Sequence, residues 1–143
     1  MVNSFKYPAL FESNGNNGFI VSFRDVKEAL TEGSSLKDAK EKAIDALITS
    51  IEFYMDANKP FPLPSEPKNN EVLICLPISI VTKILLLNAM AEKHIRAIDL
   101  AKKMGIRPQE VNRILNLKHN TKIDTIERAF NSLNLNLTIS ISK

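Results

Sequence analysis

Cysteine is almost absent: Cys75, set in the apolar run VLICLP, is the only one, so no intramolecular disulfide and no cysteine-rich metal site can be built. In that setting it is expected as a small buried hydrophobe. Tryptophan is missing and glycine is down to four residues, which excludes collagen-like chains and makes each glycine position informative. No stretch reaches the roughly 18 to 20 uninterrupted apolar residues of a membrane helix. The start MVNSFKYPAL lacks the apolar run of a signal peptide, so the cytoplasm is the expected location. The only histidines, His94 and His119, stand at unrelated spacings, with no HExxH and no G-x-S-x-G elbow anywhere, so neither a metal site nor a serine nucleophile is indicated and no cofactor is expected. At 143 residues the chain has room for one ordinary domain or two small ones, which favours a binding module over a barrel or doubly wound enzyme. What is present is ordinary for a packed globular protein, 44% apolar and 24% charged.

The net charge of +3 is unevenly placed. Residues 1–70 carry 8 Lys/Arg against 10 Asp/Glu, whereas 71–143 carry 11 against 6. Between Arg96 and Lys122 seven basic residues stand against Asp99 and Glu110, a surplus that attracts a polyanion. The acidic front suits a basic protein partner. Between the halves lies NKPFPLPSEPKNN, residues 58–70, where four of the seven prolines cluster and no regular element persists, a linker or a stiff surface loop.

Before it, FKYPALFE and GFIVSFR read as an antiparallel hairpin around SNGNNG, with Pro8 pointing to an edge position or a bulge in the first strand. A short third strand falls near Ala29 to Glu32 and ends at Gly33. Ser35 followed by Asp38 has the form of a capping box. Leu36, Ala39, Ala43, Leu47, Ile51 and Met55 then define one long amphipathic helix to about Ala57. EVLICLP is nearly continuous in apolar residues and reads as a strand buried on both faces or joined to the sheet interior. The fold class is α+β: a β-β-β-α-β domain over 1–77, then an all-α domain over 78–143. The latter reads as four helices, IVTKILLLNAMAEKH, AIDLAKKM, PQEVNRILNL and DTIERAFNSL. At the end, Leu135, Leu137, Ile139 and Ile141 alternate with polar residues as in a strand, and pairing with a second copy would satisfy that strand, so a two-fold dimer is expected. Docking onto its own chain is the alternative.

The segment IDLAKKMGIRPQEVNRIL has the spacing of a helix-turn-helix. Ala101 is small where two helices approach, Gly105 tolerates the turn's positive φ, and Pro108 suits the first turn of the second helix. With Val111, Ile114 and Leu115 inward, the free face presents Gln109, Glu110, Asn112 and Arg113. Gln109 and Arg113 are the leading base readers, matching adenine and guanine edges respectively, while Glu110 accepts from cytosine or repels wrong sites. Arg96, Lys102, Lys103, Arg107, Lys118, His119, Asn120 and Lys122 flank this helix at positions suited to phosphates, which supply affinity and salt dependence but little sequence choice. A merely solvated helical scaffold is the bland reading of the same pattern.

The full chain also resembles a known family. YPALFES, GFIVSFRDVKEALTEGSSLKDAKEKAIDALI and FPLPS are similar to the incomplete RNase-H-like front domain of HicB antitoxins, and LPISIVTKILLLNAM with IDLAKKMGIRPQEVNRILNLKHNTKIDTIERAF resembles their Xre/Cro-like helix-turn-helix domain. The resemblance implies a bipartite repressor whose front domain blocks a small basic mRNA-cleaving toxin, HicA, and whose back domain dimerises on operator DNA. The AKKMGI spacing argues against the ribbon-helix-helix that some members carry. A higher oligomer with the toxin is compatible with this plan.

An RNase-H-like topology raises the question of nuclease chemistry. Two-metal hydrolysis needs acidic residues converging on ions about 3.5 to 4 Å apart. Glu12, Asp25, Glu28 and Glu32 fall instead in turns, irregular stretches or edges, so the chain is not expected to be an enzyme. Asp25, Glu28 and Glu32 are read as solvated surface or as part of a toxin-facing patch. The competing function is a stand-alone regulator whose front domain senses a small molecule or another protein.

Overall fold

Side-chain alternation along the second strand, with Val21 and Phe23 buried, decides which side of the sheet is covered. The computed structural model describes residues 5–143. Strands β1 (Lys6–Ser13), β2 (Phe19–Phe23), β3 (Thr31–Gly33) and, after helix α1 (Leu36–Asp56), β4 (Glu71–Cys75) form an antiparallel sheet in the order β3-β2-β1-β4. The register sets Ala9 opposite Phe23 and Tyr7 opposite Ile74, all buried, and α1 packs against the sheet with Ala39, Ala43, Leu47 and Ile51. These recur every three or four positions, the spacing of one helical face. Leu36, expected to open that stripe, is instead exposed, because the buried face starts one turn later at Ala39. The cap forms as the spacing predicts: Ser35 Oγ accepts the Asp38 N–H at 3.1 Å, while Asp38 Oδ2 accepts the Ser34 N–H at 2.8 Å. Gly33 is required where β3 meets the helix, since a Cβ there would run into the Ala39 backbone.

Three expectations are corrected. Strand β1 is central and not an edge: Pro8 lies one residue before the first β1–β2 pair, Ala9↔Phe23, so the donor it lacks removes no rung from that ladder. Strand β4 is an edge strand with β1 as its one neighbour, not a strand buried on both faces, and Leu73 and Cys75 are exposed on it. Cys75 is therefore not a buried hydrophobe.

The proline-rich segment is a strap fastened to the front unit. Phe61 is buried edge-on against the rings of Tyr7 and Tyr54, at 5.8 and 5.3 Å, and Tyr7 donates its hydroxyl to the Pro62 carbonyl at 2.7 Å. Burial pushes the Tyr7 phenol well above its ordinary value. Further along, the Ser65 N–H donates to Asp25 Oδ2 at 2.9 Å, and Arg24 forks onto Glu71 at 2.9 and 3.0 Å while also reaching Ser65 and the Glu66 carbonyl. The hydrogen bonds from Arg24 hold the Glu71 carboxyl below its usual value. A depressed carboxylate stabilises the fold fully above the ordinary Glu value of about 4.3 and loses that contribution as pH falls through the lowered one. Acidification below about pH 4 is thus expected to loosen the strap. Proteolysis within 58–70 by an acid-active protease checks this, and a cleavage rate flat across that range would contradict it.

A second compact unit covers Ile78–Lys143. It consists of α2 (Ile78–Glu92), α3 (Ala97–Met104), α4 (Pro108–Leu115) and α5 (Ile123–Ser132). Leu86, Met90, Leu100, Ala101, Val111, Ile114, Ile126, Ala129 and Phe130 form its core. Gly105 ends α3 in the left-handed conformation, φ 68°, and the Ile106 N–H returns to the Ala101 carbonyl at 3.0 Å, so the chain reverses tightly before Pro108 opens α4.

The expected C-terminal strand is not formed. Residues 135–143 have no regular structure: Asn134 turns the chain at φ 61°, Leu135 and Leu137 settle on the unit's own core, and Ile139 and Ile141 stay 76% and 96% exposed. A strand needs a neighbour for its backbone groups, and this segment is paired with none. Among the described residues no helix is long and apolar enough to cross a membrane.

Candidate nucleic-acid interface

Helix α4 divides cleanly into two faces. Val111 and Ile114 are buried and fix its orientation against the core, which leaves Gln109, Glu110, Asn112 and Arg113 exposed on the outer side. Glu110 already has a task there. Its Oε2 accepts the Arg107 N–H at 3.1 Å, satisfying an orphan donor at the helix start, so it closes the α4 N-terminus. At α3 the same arrangement recurs: Asp99 Oδ2 accepts from the Arg96 backbone at 3.0 Å and from Arg96 Nε at 3.2 Å, and these bonds hold the Asp99 carboxyl below its usual value. Arg96 is thereby tethered beside the start of α3, yet its side chain remains 78% exposed.

Between α4 and the start of α5 runs an open groove of about 380 Å³. It brings together Glu110, Arg113, His119, Asn120 and Lys122 from the expected set and adds Thr121, Thr125 and Arg128, which the sequence did not single out. Thr121 Oγ1 is buried there without a hydrogen-bond partner among the described residues, and no side chain caps the α5 N-terminus at Lys122. Arg113, Lys122 and Arg128 outweigh Glu110, and the positive end of the α5 dipole adds to them, so the groove favours an anion. Arg128 is missed by sequence because it lies in the helix after the recognition segment. Only its position outside Ile126, Ala129 and Phe130 on the α5 wheel hints at it. Gln109, Asn112, Lys102, Lys103, Arg107 and Lys118 are exposed but lie outside the groove lining.

Each of the three acidic residues expected to face a toxin is already hydrogen-bonded within the front unit. Asp25 accepts from Ser65, Glu28 from the Tyr54 hydroxyl at 2.7 Å, and Glu32 from Asn14 Nδ2 at 2.9 Å, each bond tying a different segment. The bond from Tyr54 lowers the Glu28 carboxyl. Among the described residues no three His, Cys, Asp or Glu side chains converge as a metal site.

Residues 6–85 match the model of a family described as the HicB-like antitoxins of bacterial toxin–antitoxin systems. The chain is 40% identical to a protein named Antitoxin HicB 1 from Photorhabdus laumondii over 99% of its own length and 90% of that relative's. This chain belongs to the HicB-like antitoxin family. The Antitoxin HicB of Escherichia coli K12 is 39% identical over 94% of this chain and 97% of its own, and that of Pseudomonas fluorescens is 26% identical over 85% and 84%. The family match ends within α2, whereas the HicB relatives align through α3, α4 and α5, so the second unit also lies within that likeness.

Proposed function

We propose that this antitoxin neutralises a small basic mRNA-cleaving toxin of the HicA type through its front unit, an incomplete RNase-H-like fold. With its second unit, as a dimer, it represses its own operon. It acts by binding and not by catalysis. The observation that carries the DNA half of this reading is the outer face of α4, where Gln109, Asn112 and Arg113 stand exposed on a short helix entered through the Gly105 turn and bordered by a cationic groove. That arrangement supports a helix-turn-helix reading, in which such side chains read base edges. Arg96, Lys102, Lys103, Arg107, Lys118, His119, Asn120 and Lys122 supply phosphate contacts, joined by Arg128. Glu110 serves the interface by fixing the helix start. Asp25, Glu28 and Glu32 contribute acidity to the toxin-facing unit while holding its loops. The segment of Leu135, Leu137, Ile139 and Ile141 pairs with the same segment of a second copy, Leu135 and Leu137 keeping to their own core and Ile139 and Ile141 supplying the exposed apolar side chains.

Replacing Arg113 with Ala is expected to cost about 1 to 3 kcal/mol of operator affinity and to relax base choice at one position, whereas Lys118→Ala weakens all sequences alike and flattens the salt slope by about one. Titrations against single-base operator variants separate the two. For the toxin half, RNA cleavage by the purified HicA-type protein is measured as the antitoxin is added. Cleavage should vanish at a one-to-one ratio, and undiminished cleavage at excess antitoxin would reject the reading.

A further inference from the structure

Lys83 is buried where an apolar residue would be expected. It lies in α2 with 2% of its surface exposed, and among the described residues it forms no ion pair. Its Nζ donates to two backbone carbonyls, of Asn116 at 2.5 Å and of His119 at 2.7 Å. An ammonium withdrawn from water is costly, and a well-packed apolar side chain could fill the same space without that cost. Burial accordingly pushes the Lys83 ammonium below its ordinary value.

What the charge holds is the segment that leaves α4. Asn116 is the C-cap of that helix, at its negative end, where carbonyls lack helical partners. The same residue closes a local turn, accepting the Lys118 N–H on Oδ1 at 2.9 Å and the His119 N–H on its carbonyl at 3.1 Å. Lys83 thus grips both ends of the turn 116–119 from beneath, while Lys118 and His119 point their side chains to solvent.

We propose that Lys83 is a positioning residue for DNA binding, its ammonium fixing the 116–119 turn so that Lys118 and His119 meet backbone phosphates in step with the α4 face, without itself touching a nucleotide. This rests on the second unit's being the DNA-binding one. The test is a double-mutant cycle of Lys83→Met and Lys118→Ala in the full chain, read by titrating a fragment of its own promoter across a range of salt concentrations. Lys83→Met is expected to lower affinity about tenfold and to flatten the salt slope by about one, and Lys118→Ala added to it should change affinity less than about twofold, because the contact is already lost. Lys83→Gln, whose uncharged amide ends one bond short of the Nζ position and so loses the grip on the two carbonyls, carries the same cycle should the Met variant fail to fold. Losses that simply add, with the slope change of Lys118→Ala undiminished, overturn the positioning role and leave the DNA-binding reading standing. A wild-type chain that ignores the fragment overturns both.

Discussion

Changing Ile139 and Ile141 together to Asp is expected to leave the folded chain as stable as before while lowering operator affinity about 100-fold or more. The two side chains are 76% and 96% exposed in the single chain, and exposed substitutions usually shift stability by less than about 0.5 kcal/mol. Their strict alternation with Thr138 and Ser140 is the pattern of a strand with one apolar face, and the proposed dimer supplies the neighbour that such a strand needs. Two negative charges per copy would face each other across the two-fold axis and oppose that pairing. An operator with two half-sites is then held by one reading unit instead of two, and the linked second contact is lost. Sedimentation with parallel operator titration checks this, and a variant that remains dimeric with wild-type affinity would remove the terminal segment from the interface.

Gly33→Val and Gly105→Val should damage opposite functions. At Gly33 any Cβ collides with the backbone of Ala39, so valine must push β3 off α1, at a cost of about 3 kcal/mol. At Gly105 nothing lies within 4 Å of a Cβ, and the penalty comes from φ 68°, which a β-branched residue tolerates poorly, about 2 kcal/mol. Gly33→Val is expected to abolish toxin neutralisation with operator binding largely kept, and Gly105→Val the reverse. If either variant lost both functions to the same degree, the division of labour between the two units would be wrong.

The residues that were legible in sequence are those whose role is local. The Ser35 and Asp38 cap, the Gly105 turn and Pro108 at the start of α4 each depend on neighbours within four positions, and each is found where the spacing put it. Features that depend on distant neighbours were not legible. Pro8 suggests an edge, but edge status is set by where β4 docks; VLICLP looks buried, but an edge strand keeps Leu73 and Cys75 exposed. Glu110 and Arg128 illustrate both cases at the candidate site. Glu110 stands three residues after Arg107, the cap spacing, yet Arg is not a usual capping residue, so the signal is masked. Arg128 reaches the groove only because α5 packs against α2 and α3, which brings its start to the α4 side. Lys83, a charge inside ISIVTKILLL, was not singled out in the sequence, because its partners, the carbonyls of Asn116 and His119, lie more than thirty residues away.

The most direct measurement is a competition between the chain's own promoter fragment and a scrambled duplex of equal length at about 150 mM salt, with the α4 surface intact. The account predicts a preference of about a thousandfold or more for the promoter. Equal affinity for the two duplexes would mean that Gln109, Asn112 and Arg113 read nothing, and would contradict it.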